Sequence, residues 1–514
     1  MSSNSDRGGS SAGGNGTIFS QYVSPGMMFF TFIITALYLS RPLFDPDFYW
    51  HLKTGEWIWQ NRSLPHFDPF GVPPLATPSP RTDFILTSYW LIQLILYAFY
   101  SLCGMSGIIL FRWLIAALSL VLCVRWTNIR NSSVTAVIAI GTIQLLEFYF
   151  IERPQFISFA CFGALLILLF RFFEGGDAAS SWWTLAPLSL VMLVWANMHG
   201  GFLIGQAILL YCCSAEGLKF CHRSLSPLSA RSYKILLFSS LAALVASFIN
   251  PNALNLLGYL PTIFDADNYA NLNNLEEMSL FAYFKETRDS TIFINAASIA
   301  VTCVALAVSK QRTNITWAGI LIATACMGSL HMRLLPFFLV AAMLFMTKFV
   351  ETEGSAIKRN VIIIPLLAIT TLHCVRDEFP RIAEVVKSGW VPVNHYPVKA
   401  ADFITTDTGG GNVYTTLLWG GYMVWRVSPE KKVFFDSRYL NLQRAWEYNN
   451  SIMPGANQRP YWKGLFATYD IRAAVLPRYE DNGSPNMLTQ SMYADREWTV
   501  AFADEKEVVL VRKR

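Results

Sequence analysis

The chain has 514 residues, of which 53% are hydrophobic and only 15% are charged, whereas an ordinary soluble domain carries about 25% charged residues. Together with a mean hydropathy of +0.36, this composition excludes an ordinary soluble globular enzyme. The formal net charge of +5 is spread thinly, without a basic stripe or basic tail, so we expect no binding to nucleic acid.

Residues 1–23 are rich in Ser, Gly and Asn, and we expect them to be disordered and solvated. The apolar run 26–44 is too long for a secretory signal core and lacks a small-residue cleavage site, so we interpret it as an uncleaved membrane span. Similar runs, near the length needed to cross about 30 Å of hydrocarbon, recur up to residue 375. They lie at about 84–103, 106–125, 132–150, 154–173, 183–198, 201–218, 234–250, 291–309, 315–331, 333–350 and 361–375.

The basic connections predict the orientation of these runs, because Lys and Arg are retained on the cytoplasmic side. Four connections are basic, and they contain Arg125/Arg130, Lys219/Arg223/Arg231/Lys234, Lys310/Arg312 and Lys348/Lys358/Arg359. With the loop 45–83 outside, the run 84–103 cannot cross fully if 106–125 is to end inside. We therefore predict 11 full spans, with 84–103 as a juxtamembrane or re-entrant helix. If 84–103 does cross, there are 12 spans, and the basic loops or the placement of the tail must change.

The composition changes at Arg376, because 18 of the 40 basic and 16 of the 35 acidic residues lie between Arg376 and Arg514. We predict helices at 398–405 and 440–449, and strands at 412–416, 432–436, 473–476, 498–503 and 507–512, the last two joined by a turn at 504–506. The expected fold is a polytopic α-helical membrane protein with a C-terminal soluble α/β domain. Its parts are the tail 1–23, the transmembrane domain 24–375 with its external loop 45–83, and the soluble domain 376–514 on the outer side.

In this topology, polar clusters from five separate places reach the outer face. They are the loop 45–83, ERPQ at 152–155, NMHGG at 197–201, NPN at 250–252 and HMR at 331–333. Each cluster alone has a simple explanation, because polar residues at helix ends satisfy backbone groups. Their convergence on one membrane surface predicts a single site there.

The strongest local signal begins at Asp45, directly after the first span. Asp45 followed by Pro46 is a good helix start, and capping is the structural explanation for this aspartate. Asp47 and His51 are four residues apart and therefore share one face of the predicted helix. Two carboxylates at the lipid–water boundary, where charge is costly, favour a general base or a metal ligand.

The acidic pair followed by WHL..G..I and by LPHFDPF at 64–70 resembles the first external loop of the GT-C superfamily of integral-membrane glycosyltransferases. The chain is most similar to a bacterial branch of uncharacterised members with the pattern D.D.WHL..G..I....P..DPF. The resemblance extends through ERPQ, WANMHGGF at 195–202, INPN at 249–252, HMRLLPFF at 331–338, and GNVYTTLLWGGYMVWRV with KVFFDSR in the tail.

This resemblance implies a transferase whose donor is a sugar carried on a polyprenyl phosphate. It implies that Asp45 or Asp47 is the catalytic base, which deprotonates an acceptor hydroxyl that then attacks the anomeric carbon with inversion. The acceptor is a glycan, a lipid or a protein. The implied location is the bacterial inner membrane, with the C-terminal domain periplasmic or extracellular.

An alcohol with a pKa near 16 is a poor nucleophile without a positioned base, and a leaving phosphate needs positive charge beside it. Arg153, His331 and Arg333 are the candidates for that charge, because guanidinium binds phosphate oxygens in a two-pronged geometry. The alternative for Arg333 is a headgroup anchor at a helix end. The further candidate substrate contacts are His51, Gln155, Asn197 and His199, although a histidine at a helix end is more often a structural hydrogen-bonding group.

The resemblance leaves the use of a metal open, since some members of the superfamily use one and others do not. Asp47 and Glu152 are the candidate ligands for a divalent cation, Mg²⁺ or Mn²⁺. The alternative is that Glu152 pairs with adjacent polar groups.

Two other functional classes compete with the transferase. A non-catalytic structural subunit that retains the GT-C fold would copurify with a partner in a larger membrane complex. A transporter would need interrupted spans with polar residues near the bilayer midplane, whereas here the polar clusters lie at one end of the spans.

Overall fold

The computed structural model describes most of the chain, in segments separated by gaps. The described residues are 14–73, 79–126, 132–149, 153–175, 181–220, 222, 228–253, 255, 275–289, 292–309, 315–353, 376, 380–383, 385, 389–406, 410–452, 461–480 and 482–513. Of the segment 1–23, which was predicted to be disordered, residues 1–13 lie outside them, whereas residues 14–23 belong to a helix that begins at Gly14. Glu152 and the predicted span 361–375 lie outside them entirely.

The first half of the chain forms an array of helices: α1 Gly14–Leu39, α2 Pro46–Asn61, α3 Pro80–Thr87, α4 Trp90–Cys103, α5 Met105–Trp126, α6 Ser132–Tyr149, α7 Gln155–Glu174, α8 Trp182–Leu185, α9 Pro187–Ala196, α10 Phe202–Lys219 and α11 Ala230–Ser247. After these come α12 Leu280–Thr287, α13 Ile292–Val308, α14 Ile315–Leu330 and α15 Leu335–Glu353, with short 3₁₀ turns at Leu275–Glu277 and Met332–Leu334.

Five helical stretches among the described residues are long and apolar enough to cross a membrane. They are Pro80–Cys103, Met105–Cys123, Gln155–Glu174, Phe202–Lys219 and Met332–Val350. Four shorter apolar helices accompany them, at Met28–Leu39, Trp182–Ala196, Ile292–Val308 and Ile315–Leu330. These helices indicate an integral membrane protein, and the total of 11 spans stays a prediction.

The run 84–103 is helical, as expected, but it does not form one regular rod. A turn at Ser88 and Tyr89 separates α3 from α4. Helix α3 has its own start, because the Ser79 side chain accepts a hydrogen bond from the Thr82 backbone and Pro80 occupies the first helical position. Pro80–Cys103 is nevertheless long enough to span, so its predicted juxtamembrane placement stays open.

Three charged residues inside the described apolar helices, Arg112, Glu216 and Lys219, have polar partners. In α5, the buried Arg112 donates through Nη1 to the carbonyls of Leu39, at 3.0 Å, and Arg41, at 3.1 Å, at the end of α1. In α10, Lys219 Nζ lies 2.7 Å from Glu216 Oε1, and both residues are buried. These contacts lower the cost of placing charge among apolar side chains.

Among its described residues from 398 onward, the C-terminal segment forms five helices and one four-stranded sheet. The helices are α16 Val398–Thr406, α17 Leu417–Val427, α18 Leu442–Ile452, α19 Tyr461–Thr468 and α20 Met487–Tyr493. The strands are β1 Asn412–Thr415, β2 Ile471–Pro477, β3 Trp498–Ala503 and β4 Glu507–Arg512, in the order β1-β2-β4-β3. β1 runs parallel to β2, and the other pairs are antiparallel, with Ala474 opposite Leu510.

Most of the predicted elements of this segment are present, including the β3–β4 hairpin. The predicted strand 432–436 is wrong. In the structure, Val433 forms only isolated bridges, to Gly71 of the first loop and to Val413 of β1. Val433 lies between Gly71 and Val413, which come from distant parts of the sequence, and its neighbours do not extend these bridges into a regular strand.

Two close approaches join the first-loop helix α2 to its neighbours. A Cβ at Gly55 would lie 2.1 Å from the Gln93 carbonyl oxygen of α4, and a Cβ at Gly421 of α17 would lie 2.1 Å from the Pro46 carbonyl oxygen. Only glycine permits these separations. Helix α2 therefore packs between the helical array and the C-terminal segment, and one buried hydrophobic cluster runs through all three.

Candidate functional site

Asp45 caps helix α2. Its side chain accepts a hydrogen bond from the Asp47 backbone N–H at 2.7 Å, and Pro46 follows as the first helical residue. The residue is only 4% exposed. The capping explanation is therefore confirmed, and its second carboxylate oxygen contacts Arg153 as described below.

Asp47 lies in the first turn of α2, where negative charge is favourable. Its Oδ1 accepts hydrogen bonds from Trp50 Nε1, at 3.1 Å, and from the Ser437 hydroxyl of the C-terminal segment. Its Oδ2 lies 3.2 Å from Arg153 Nε. The side chain is 17% exposed, so Asp47 is the more accessible of the two aspartates.

Arg153 connects three carboxylates just before α7. Its Nε donates to Asp45 Oδ2 at 2.7 Å, and its Nη1 lies 3.1 Å from both oxygens of Glu276. Burial lowers the pKa of Arg153, but Asp47, Asp45 and Glu276 together raise it well above the ordinary value. The guanidinium is therefore a permanent cation between acids from two distant segments.

The second arginine, Arg333, pairs with the neighbouring acid, Glu277. His331 contacts the same glutamate. Its Nδ1 lies 3.1 Å from the backbone carbonyl oxygen of Glu277 and 3.7 Å from Glu277 Oε2. Because Glu276 and Glu277 are consecutive in one 3₁₀ turn, this turn brings Arg153 and Arg333 to the same site.

His199 is a neutral ring that accepts hydrogen bonds at Nδ1 in this arrangement. Its Nδ1 accepts from the Gly201 backbone N–H at 2.9 Å and from the Ser158 hydroxyl at 2.7 Å, while Trp195 Nε1 donates to that hydroxyl. The network therefore assigns the ring proton to Nε2. Burial and then the charge of Arg333 lower the pKa of His199 to about 3, so the ring is uncharged at neutral pH.

His51 is buried between two aromatic rings, with ring centroids 3.5 Å from Trp50 and 5.0 Å from Tyr89. Its Nδ1 lies 3.0 Å from Gln93 Nε2. Burial, followed by the charges of Arg153, His199 and Arg438, lowers the pKa of His51 well below its usual value. Trp50, Tyr89 and Gln93 therefore enclose His51, and Tyr89 also contacts His199. A substrate contact by His51 stays a prediction.

The remaining two candidates are at helix ends. Asn197 Nδ2 donates to the carbonyls of Leu193, at 2.9 Å, and Ile249, at 2.8 Å, and its Oδ1 accepts from Trp90 Nε1 at 3.0 Å. These bonds join three helix termini. Gln155 is buried at the first position of α7.

The described residues do not fit a metal centre. They contain no group of three or more His, Cys, Asp or Glu side chains arranged to hold an ion. Both oxygens of Asp47 are engaged by donors, and the nearby acids are paired with arginines. Binding of a cation by Asp47 and Glu152 stays a prediction, and no chemical step below depends on it.

Four carboxylates, Asp45, Asp47, Glu276 and Glu277, therefore surround two arginines. Sequence reasoning found the first pair and both cations but missed Glu276 and Glu277. The available signal was two adjacent acids in a connection between apolar runs. Chemically, the arrangement provides a carboxylate able to accept a proton and guanidinium groups able to bind an anion.

Searches for related proteins found no matching family model and no matching curated protein. Solved structures do match. The alignment with the oligosaccharyltransferase of Archaeoglobus fulgidus in its apo form covers 89% of this chain and 70% of the enzyme's chain, at 12% identity and a TM-score of 0.55. The alignment with the same enzyme tethered to an acceptor peptide containing the NVT sequon covers 96% of this chain and 74% of the enzyme's chain, at 11% identity and a TM-score of 0.56.

A third structure is the archaeal oligosaccharyltransferase AglB from A. fulgidus, in complex with an inhibitory peptide and a dolichol-phosphate. It covers 96% of this chain and 75% of its own, at 11% identity and a TM-score of 0.53. At this identity the likeness concerns the fold, and the resemblance to a bacterial branch stays a prediction. The chain has the GT-C fold, as its first-loop sequence implied.

Proposed function

We propose that this chain is an inverting glycosyltransferase that moves a sugar from a polyprenyl-phosphate donor to an acceptor glycan, lipid or protein. The observation that carries the proposal is the contact of Arg153 with Asp45, Asp47 and Glu276, beside the pair formed by Arg333 and Glu277. At the ends of apolar helices, the arginines could bind the phosphate of a lipid-linked donor, and an accessible carboxylate could accept a proton during transfer of its sugar.

Of the two aspartates, Asp47 is the catalytic base in this proposal. Asp45 is committed to capping α2 and to Arg153, and it is almost fully buried. Asp47 is more exposed and lies in the first turn of the helix. Its carboxylate takes the proton from the acceptor hydroxyl, the hydroxyl oxygen bonds to the anomeric carbon, and the bond from that carbon to the phosphate oxygen breaks with inversion.

Arg333 and His199 are the proposed contacts for the leaving phosphate. In the described contacts, Arg333 uses only Nη1, for Glu277, and its side chain is 39% exposed. Its other N–H groups are therefore available to an anion. His199 adds a neutral Nε2–H donor nearby, and fixed donors of this kind stabilise charge that develops as the phosphate leaves.

The comparisons support a lipid-linked donor in general terms, because AglB is similar in fold and forms a complex with a dolichol-phosphate, and an oligosaccharyltransferase of the same organism is tethered to an acceptor peptide. We place this chain in a bacterial inner membrane, as the first-loop resemblance implies, with its C-terminal segment on the periplasmic or extracellular side, where the predicted topology has the acids and arginines.

The test is transfer by the purified protein in lipid nanodiscs. The probes are undecaprenyl-phosphate sugars, hexoses and pentoses, labelled in the sugar, with an extract of the host envelope as acceptor. We expect Asp47→Asn to lower kcat by about 10²- to 10⁴-fold, as for loss of a general base. Asp45→Asn retains a good N-cap residue and should lose less.

The matched control is Asp470→Asn, which changes an exposed aspartate in the C-terminal segment. Full activity of the Asp47→Asn variant would reject the assignment of the base. Absence of transfer from every donor, with a partner copurifying at fixed stoichiometry, would favour the non-catalytic subunit instead.

A further inference from the structure

The C-terminal segment reaches the first loop through residues 432–438. The Val433 N–H donates to the Phe70 carbonyl at 3.0 Å, and the Val72 N–H donates to the Val433 carbonyl at 3.1 Å. Two pieces of chain more than 360 residues apart therefore share backbone hydrogen bonds. This register fixes the position of the turn that follows, Asp436-Ser437-Arg438.

Arg438 anchors that turn from one side. Its Nη1 and Nη2 lie 2.8 and 3.2 Å from the two oxygens of Asp68 in the first loop, and its Nε and Nη2 lie 2.8 and 2.7 Å from the oxygens of Asp436. All three side chains are buried. Burial lowers the pKa of Arg438, but Asp436 and Asp68 raise it above the ordinary value, so the cation is permanent.

Ser437 lies between the two anchored residues and donates its hydroxyl hydrogen to Asp47 Oδ1. The Asp47 carboxylate is thus oriented from three directions, by Ser437 and Trp50 on Oδ1 and by Arg153 on Oδ2. Trp50 belongs to the same helix as Asp47, whereas Ser437 is held independently by the pairs of Arg438. Ser437 therefore sets the direction of the carboxylate relative to the rest of the site.

We infer that Ser437 is a positioning residue for the reaction proposed above, contributed by the C-terminal segment, and that the site is incomplete without this segment. The inference rests on the proposed function, because it requires Asp47 to be the base. A carboxylate displaced by about 1 Å from its productive position can cost about 10²-fold in rate. Ser437 acts on the orientation of Asp47, so its effect belongs in kcat rather than in donor binding.

The first experiment measures kcat and KM with the labelled undecaprenyl-phosphate sugar that the parent protein uses. We expect Ser437→Ala to lower kcat by about 10- to 100-fold with KM for the donor changed less than about twofold. Ser437→Thr retains the hydroxyl and should recover most of the rate. Ser484→Ala, which removes an exposed hydroxyl of the same segment, is the matched control and should leave both constants unchanged.

The second experiment needs no substrate. The paired variant Asp47→Cys with Ser437→Cys is treated with a short bis-methanethiosulfonate linker, and the joined peptides are identified by mass spectrometry. Linking in the pair but in neither single variant supports the juxtaposition.

The outcomes separate the two proposals. A linked pair together with an unchanged kcat in Ser437→Ala, or failure of Ser437→Thr to recover the rate, overturns the positioning role and leaves the proposed function standing. Failure of the pair to link overturns the geometry of the inference alone. No transfer by the parent protein overturns the proposed function and, with it, this inference.

Discussion

The ion pair between Asp45 and Arg153 should contribute far more to stability than an exposed pair of the same chemistry. The Nε to Oδ2 distance is 2.7 Å, and the side chains are 22% exposed for Arg153 and 2% for Asp45. At an effective dielectric constant of about 20, unit charges about 4 Å apart attract by about 4 kcal/mol, and desolvation offsets part of this. We therefore expect a coupling energy of about 2 kcal/mol.

The measurement is a double-mutant cycle of Arg153→Gln and Asp45→Asn, with the free energy of unfolding determined in mixed micelles. Arg153→Gln alone should cost about 3 kcal/mol, because it leaves buried carboxylates without their cation. The matched control is the exposed pair Arg472 and Asp470, with an Nε to Oδ1 distance of 2.9 Å. Its coupling should be below about 0.5 kcal/mol. Equal coupling energies for the two pairs would refute the reasoning.

Two further predictions concern packing and pH. Gly421→Ala should destabilise the protein by about 2 kcal/mol or more, because its Cβ would meet a backbone oxygen of α2 at 2.1 Å. The control Gly464→Ala, with open space around the new Cβ, should be neutral or stabilising. Equal effects of the two substitutions in a thermal melt would contradict the close approach. Because the folded-state pKa of His199 is about 3 and the unfolded value is about 6.5, stability should fall as pH drops below 6.5, by about 1 kcal/mol at pH 5 after allowing for partial exposure. His199→Gln should make this loss smaller, and an unchanged pH dependence would argue against the buried neutral ring.

The helical array was predictable because long apolar runs have few alternatives to helix. The β3–β4 hairpin was equally visible from its two apolar runs and the polar turn between them. Helix α17 was not predicted, since two consecutive glycines, Gly420 and Gly421, disfavour a helix. They are tolerated because the backbones of α2 and of residues 435–436 come so close that a side chain would clash.

The site was predictable only at residues whose charge is energetically costly in its local sequence context. Charge at a membrane boundary made Asp45, Asp47, Arg153 and Arg333 conspicuous. The pairing of Arg153 with Glu276 joins residues 123 positions apart, and no spacing rule connects them. Ser437 stood out only as part of the segment KVFFDSR, because its partner lies at the other end of the chain.

The hydrogen bond between Ser437 and Asp47 spans 390 positions in the sequence. At a synthesis rate of about 5 to 20 residues per second, the first-loop helix waits about 20 to 80 s on the ribosome before its last partner is made. During that interval Asp47 has no Ser437 to hold it. Assembly of the proposed site is therefore among the final events in the biogenesis of this protein, and a nascent chain interrupted before residue 437 would lack the hydroxyl that orients Asp47.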